Sequence, residues 1–509
     1  MASTQPEPLK RRSAGILLHP TSLPGRYGIG DLGPVAHAWV ETLARHQQTW
    51  WQILPLGPTG YGDSPYQSYS AFAGSPNLIS PDLLARDGLI APSDLANVHF
   101  PPGKVDFDNV TKFKHWLLDR AWQAFGRGAG GQLRGPFEQF KREEAHWLDD
   151  YALFMAIKHA HGGRSWDEWP AELVRREPAA LDRARRELVD AVGTQQFRQF
   201  LFFRQWRGLR EHAHRLGVKL FGDAPIFVAA DSADVWAHPE QFLLDADRRP
   251  KVVAGVPPDY FSATGQLWGN PLYDWGRMKA EGYAWWIARI RANLRQVDLV
   301  RLDHFRGFEA AWHIPAGAPT AQKGEWVKGP AGDLLAALRQ ALGGLPLVAE
   351  DLGLISKEVH ALRDQFGLPG MYILQFAYGG AVEFRFLPHN HVRNAAVYTG
   401  THDNDTTFGW WQHITEGERQ FFRRYDPHAD EDPVWQLIRT AWASVADFAI
   451  VPMQDVLTLG SEARMNVPGT PSGNWTWRMT DEQMATPAWA RLADLTELYY
   501  RQPGPDKRE

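Results

Sequence analysis

Eight short apolar runs, several closing on a polar or acidic residue, constrain this chain more than any other feature. They are Gly15-Ile-Leu-Leu-His19, Trp51-Gln-Ile-Leu-Pro55, Val218-Lys-Leu-Phe-Gly-Asp223, Val297-Asp-Leu-Val-Arg-Leu-Asp303, Leu345-Pro-Leu-Val-Ala-Glu350, Met371-Tyr-Ile-Leu-Gln-Phe376, Ala395-Ala-Val-Tyr-Thr399 and Phe448-Ala-Ile-Val-Pro-Met453. Runs this short and this rich in Val, Ile and Leu read as strands buried on both faces, which suits a parallel sheet. Between many of them lie amphipathic, Arg- and Leu-rich stretches, such as residues 197–214 and 333–341, that read as helices. Alternating strands and helices imply βαβ units, and eight parallel strands close a barrel. The expected fold is therefore α/β, a (β/α)8 TIM barrel.

The spacing is uneven. A plain βαβ unit takes about 30 residues or more, yet more than 160 residues separate the second run from the third. That gap holds a Gly-, Pro- and Tyr-rich segment, residues 58–102, and helical stretches near 113–124 and 148–160. A second long gap, 224–289, is also rich in aromatics, Gly and Pro. Large inserted subdomains are expected after strand 2, at about 58–200, and after strand 3, at about 225–289. Residues 1–13 read as an N-terminal tail, 14–500 as the catalytic barrel, and 501–509 as a C-terminal tail without apolar residues. Too little chain follows the eighth run for a C-terminal β-sandwich. No repeat with a period of 20–50 residues is evident, which argues against a solenoid.

Composition serves mainly to exclude. The 509 residues include no cysteine, so disulfides, thiolate metal sites and a Cys nucleophile are ruled out. A formal net charge of −5, without a block of like charge, argues against a nucleic-acid partner. No apolar run reaches the ~18 residues of a membrane span, and the N-terminal one is too short for a signal peptide. A soluble cytoplasmic protein is the expectation. The 23 Trp and 12% aromatic content admit two accounts, core packing or flat faces stacked on sugar rings.

Chemistry concentrates at strand ends. In a barrel of this kind the active site lies at the C-terminal ends of the strands. Four acids fall there: Asp223, Asp303, Glu350 and, just past a Thr-Gly-Thr-His turn, Asp403. One such acid is ordinarily a turn or cap residue. Four aimed at one mouth repel each other, and such a cluster suits a reaction that uses the resulting spread of pKa values. Acetal cleavage is one: a carboxylate attacks the anomeric carbon while a protonated one serves the leaving oxygen.

Arg301, two residues before Asp303, shares its strand face and can hold that carboxylate ionised; the plainer reading is a structural ion pair. Glu350, after two apolar residues, is expected in a drier setting that raises its pKa and suits an acid/base. Asp351, on the other face, is expected to back the site or contact substrate. Residues 399–407 admit a metal reading through His402 and the paired acids. They lack a second histidine cluster and the calcium-loop pattern, so sugar-hydroxyl binding by His402 and Asp403 is favoured. No metal and no cofactor are expected.

Several motifs are long and specific: Arg301-Leu-Asp-His-Phe-Arg-Gly307, Ala349-Glu-Asp-Leu-Gly353, Tyr398-Thr-Gly-Thr-His-Asp-Asn-Asp405, Leu18-His-Pro-Thr-Ser-Leu-Pro-Gly25, Gly57-Pro-Thr-Gly-Tyr-Gly-Asp-Ser-Pro-Tyr66, Gly222-Asp-Ala-Pro-Ile-Phe227, Gly255-Val-Pro-Pro-Asp-Tyr-Phe-Ser262, Trp268-Gly-Asn-Pro271 and Ser461-Glu-Ala-Arg-Met-Asn466. From about residue 14 to 480 the chain resembles the amylomaltases. These are 4-α-glucanotransferases, or disproportionating enzymes, of glycoside hydrolase family 77 in the α-amylase clan.

The resemblance implies a retaining double displacement with Asp303 as nucleophile, Glu350 as acid/base and Asp403 as transition-state stabiliser. It places Arg301, His402 and Asp223 in the same sugar subsite, with Tyr66 stacked on the ring. It puts Tyr260, Phe261 and Trp268 on the acceptor side, Tyr61 at a second glucan groove, and Ser64 and Asn270 among the substrate contacts. Asp223 is followed by Ala-Pro-Ile-Phe rather than the Val-Val-x-Asn-His of α-amylases, a departure that argues against structural calcium and fits the transferase subgroup.

The implied activity is transfer of α-1,4-glucan segments from a maltooligosaccharide or starch-like donor to a glucan or glucose acceptor. The alternative is hydrolysis through the same glycosyl-enzyme. A non-catalytic glucan-binding protein would be expected to have lost at least one of the three carboxylates, and all three are present.

Overall fold

The computed structural model describes residues 11–258, 263–378 and 384–504. Among these residues twelve strands form: β1 (Ser13–Leu17), β2 (Trp50–Gln52), β3 (Lys219–Ala224), β4 (Val252–Val256), β5 (Gln266–Pro271), β6 (Leu299–Leu302), β7 (Ala310–Pro315), β8 (Glu325–Lys328), β9 (Leu347–Ala349), β10 (Gly370–Ile373), β11 (Ala395–Tyr398) and β12 (Phe448–Pro452). Eight of them make one parallel sheet in the order β10-β11-β12-β1-β2-β3-β6-β9. Its two outer strands meet, because the Ala349 N–H donates to the Pro369 carbonyl at 2.8 Å. The sheet is thus a (β/α)8 barrel, and every apolar run of the sequence overlaps one of its strands.

Burial on both faces explains why those runs are continuous. All residues of β1, β9, β11 and β12 are buried. Packing is close enough that a Cβ on Gly15 would sit 2.3 Å from the Trp50 carbonyl oxygen, so β1 and β2 approach only through glycine. Helices Pro34–Arg45, Ala284–Gln296, Ala331–Leu342, Lys357–Gln365 and Pro433–Ala443 alternate with the strands, each burying one apolar face, as Leu334, Leu335 and Leu338 do.

The segment after β2 forms helices Phe107–Gly126, Arg134–Ala160 and Pro178–Glu187. A further 27-residue helix, Val189–Arg215, crosses the expected boundary near 200 without a break and leads into β3. Its Trp206 indole donates to the Gln296 carbonyl at the end of a barrel helix, so insert and barrel share one packed body. Lys114, buried, ties the insert to the loop after β1 through Asp31 at 3.2 Å, and also donates to the Ile79 carbonyl within the insert at 2.7 Å.

A four-stranded antiparallel sheet, β5-β4-β7-β8, stands beside the barrel. Only β4 and β5 belong to the expected insertion at 225–289; β7 and β8 follow the next barrel strand, so two separate loops build one sheet. No strand follows β12 among the described residues.

Two tail boundaries need correction. Ser13, expected in the N-terminal tail, is the first residue of β1 and is buried. Arg501, expected in the C-terminal tail, is wholly buried and donates to the carbonyls of Ser13, Trp442, Ser444 and Ala446. Its guanidinium satisfies carbonyls orphaned where helix Pro433–Ala443 ends. Most tryptophan is packing: only Trp116 and Trp326 expose more than a third of their surface. No described helix is long and apolar enough to cross a membrane.

Candidate active site

Backbone register brings the acids together. On β3 and β6, Asp223 lies opposite Arg301, and Arg301 lies opposite Val348 of β9. The ladder continues past the strand ends, where the Asp303 N–H donates to the Ala224 carbonyl and the Glu350 N–H to the Leu302 carbonyl, both at 3.1 Å. Three carboxylates are therefore set by backbone hydrogen bonds at one mouth.

Arg301 bridges two of them. Its Nη1 stands 2.7 Å from Asp223 Oδ2 and 2.9 Å from Asp303 Oδ1. Burial opposes its charge, but the two carboxylates outweigh that and hold its pKa well above the ordinary value. Asp223 is fully enclosed, and burial raises its pKa although Arg301 pulls the other way. Its Oδ1 is buried with no hydrogen-bond partner among the described residues. Asp303 differs, since its side chain keeps 27% of its surface open to the cleft.

Glu350 sits in a drier setting. Its Oε2 accepts from the His304 N–H at 2.7 Å and its Oε1 from the Leu352 N–H at 2.9 Å. Burial pushes its pKa up to about 7; Arg301 and the two amides pull down, and Asp303 adds to the rise. His304 reaches Glu350 through an uncommon backbone, with φ at +48°, a conformation that costs a non-glycine residue of order 1–3 kcal/mol. Burial drives the pKa of its ring down to about 4, and the ring meets Trp268 edge-on at 4.8 Å. His304 lies inside a motif legible in the sequence, yet nothing in residue type or spacing marks it for this role.

The turn after β11 supplies the other wall. The Tyr66 hydroxyl donates to Asp223 Oδ2 at 2.8 Å and lies 2.8 Å from His402 Nε2, and the two rings stack at 5.4 Å. Asp403 Oδ1 accepts from the Asn466 amide at 2.7 Å, and its carbonyl from Arg464 at 2.7 Å. Its Oδ2 lies 3.4 Å from His402 Nε2. The Asp403 side chain remains 42% exposed. Trp475 closes on both rings, 5.9 Å from Tyr66 and 6.0 Å from His402. Asn466 and Arg464 belong to the Ser461-Glu-Ala-Arg-Met-Asn466 motif, whose spacing alone assigned them no role.

The remaining candidates divide. Of the two expectations for Asp351, substrate contact is not met: it is wholly buried, takes Arg363 at 2.6 Å, Arg385 at 3.2 Å and the Met371 N–H at 2.9 Å, and has no surface left for substrate. Asn270, also buried, donates its amide to the Val228 carbonyl and staples β5 to the loop after β3. Ser64 Oγ accepts the Tyr66 N–H at 3.2 Å, shaping the turn that presents Tyr66. Tyr61, on the same loop, is 74% exposed. Tyr260 and Phe261 lie outside the described residues. No group of three or more His, Asp or Glu side chains arranged to hold a metal occurs among the described residues.

Comparison with known proteins points to one family. The family described as 4-alpha-glucanotransferase matches residues 18–484. The 4-alpha-glucanotransferase of Thermus thermophilus is 51% identical over 498 residues, spanning 96% of this chain and 99% of its own. That of Synechocystis sp. is 50% identical, spanning 97% and 99%. The amylomaltase of Streptococcus agalactiae, solved in complex with acarbose, superposes with a TM-score of 0.94 at 38% identity, covering 97% of this chain and 100% of that one. With the barrel, the bridged carboxylates and these matches in hand, the chain belongs to the 4-alpha-glucanotransferase family, glycoside hydrolase family 77.

Proposed function

We propose that this enzyme transfers α-1,4-glucan segments from a maltooligosaccharide or starch- or glycogen-like donor to a second glucan or glucose, in the cytoplasm and without a cofactor. The observation that carries the reading is the contrast between neighbouring acids: Asp303 paired to Arg301, and Glu350 buried with a pKa near 7. Asp303 attacks the anomeric carbon as Glu350 protonates the departing glycosidic oxygen, which leaves a β-linked glucosyl-enzyme. Glu350, now a carboxylate, takes the proton from the acceptor hydroxyl. That oxygen then displaces Asp303 and restores the α-linkage. Asp403 and His402 hold the sugar hydroxyls while charge develops on the ring. Asp223, fully enclosed, acts through Arg301 and the Tyr66 hydroxyl rather than on the sugar itself, and Tyr66 packs on the sugar.

Transfer is favoured over hydrolysis by the family to which the chain belongs. Incubation with maltotriose tests this. The expected product is a ladder of longer oligomers with free glucose, whereas reducing-end release without longer products would sink the transfer assignment.

A second expectation concerns pH. Glu350 must be protonated to serve the leaving group, so kcat/KM should fall as pH rises above about 7. The limb should vanish in Glu350→Gln assayed with a glycosyl fluoride. A limb that persists there belongs to another group.

A further inference from the structure

Beneath the turn that carries His402 and Asp403 lies a carboxylate that the proposed mechanism leaves idle. Asp455, three residues beyond β12, is 1% exposed and paired with no cationic side chain among the described residues. Its Oδ2 accepts from the Thr399 and Thr407 hydroxyls, each at 2.6 Å, and its Oδ1 from the Thr407 N–H at 2.7 Å. Thr399 and Thr407 are the first and last residues of the turn, so one carboxylate clamps both ends.

Other groups brace the same segment. Gln375, just past β10, donates to the Asp405 carbonyl at 3.0 Å and the Thr407 hydroxyl at 3.3 Å, and its N–H reaches the Thr399 carbonyl at 3.2 Å. Ser461 donates to Asp405 Oδ2 at 2.7 Å. A small cavity lined by His19, His402, Asp405, Asp455, Arg464 and Met465 also lies against the turn.

Burial raises the pKa of the Asp455 carboxyl, and the three hydrogen bonds from Thr399 and Thr407 oppose that rise, so its charged form is held only while the threonines stay in place. Apolar packing would close the fold more cheaply. What the carboxylate adds is a fixed turn.

We propose that Asp455 is a positioning residue: by tying Thr399 to Thr407 it holds Asp403 and His402 where they meet the sugar in the transition state. The proposal rests on the stabiliser role given to Asp403 above. A displaced group of this kind weakens transition-state contacts more than ground-state binding.

The test is a double-mutant cycle with an α-maltotriosyl fluoride donor, measuring kcat and KM for Asp455→Ala, Asp403→Asn and the double variant. Asp455→Ala should lower kcat by roughly 100-fold with little change in KM. Added to Asp403→Asn, it should lower kcat by no more than about threefold, because its effect passes through the missing group. Asp455→Asn, which keeps the shape and one acceptor, should restore about a tenth of the wild-type rate or more, and it carries the same cycle if the alanine variant fails to fold. Two results overturn the proposal alone: a lowered melting temperature with kcat intact, or the same fold-loss in both backgrounds. A near-wild-type kcat for Asp403→Asn would remove the stabiliser role first and this proposal with it.

Discussion

Asp303→Ala mixed with an α-glycosyl fluoride will acquire no covalent glucan, while Glu350→Gln will accumulate one that intact-mass spectrometry detects. The asymmetry follows from the role proposed above for each carboxyl. Removing Asp303 removes the atom that bonds to the anomeric carbon, so no leaving group, however good, rescues the first step. Removing the Glu350 proton penalises only a leaving group that needs it, and fluoride needs little. The Gln variant also lacks the base that activates an acceptor hydroxyl, so the intermediate, once formed, persists. Turnover on maltotriose should drop by at least about 1,000-fold in both variants. An adduct on Asp303→Ala that maps to Glu350 or Asp403 would reassign the nucleophile.

Replacing Arg301 with methionine should damage stability and activity together. The change leaves enclosed Asp223 without its 2.7 Å partner and takes the same guanidinium from Asp303. Stranding a buried charge in this way typically costs about 3–5 kcal/mol. The pH dependence carries the sign. Asp223, already pushed up by burial, loses the cation that opposes the push, so its folded pKa climbs further above the unfolded value. The folded variant then holds a proton that the unfolded chain releases, and stability falls as pH rises through that interval. The melting deficit against wild type should therefore be larger at pH 8 than at pH 5. A deficit equal at both values would mean that Arg301 acts by packing alone. Activity should fall by about 100-fold or more, because the cation that faces the proposed nucleophile is gone.

What was readable in the chain, and what was not, divides along physical lines. Strands buried on both faces must be apolar throughout, so all eight barrel strands announced themselves, and the barrel's polarity then placed Asp223, Asp303 and Glu350 at one mouth. The same logic missed β8, whose Glu-Trp-Val-Lys is an edge strand with little buried surface and no apolar run to betray it. Strand alternation says only that Asp351 faces away from Glu350, which leaves open whether it backs the site or contacts substrate. Its partners Arg363 and Arg385 come from elsewhere in the chain and decide the matter. His304 escaped because a positive φ on a non-glycine residue has no sequence signal. Asp455 escaped because an isolated acid past a strand end reads as a helix cap, and the two threonines it clamps lie some fifty residues upstream.

The antiparallel sheet has a consequence for anyone wishing to graft it from one relative onto another. Strand β7 is covered on one edge by β4 and on the other by β8, and it begins six residues after His304. Exchanging residues 225–289 as a cassette would leave β7 facing a foreign partner or a bare row of N–H and C=O groups, an invitation to aggregation. The disturbance would also reach, within a few residues, the amide that holds Glu350. The transplantable unit is discontinuous: β4 and β5 move with β7 and β8, or they do not move at all.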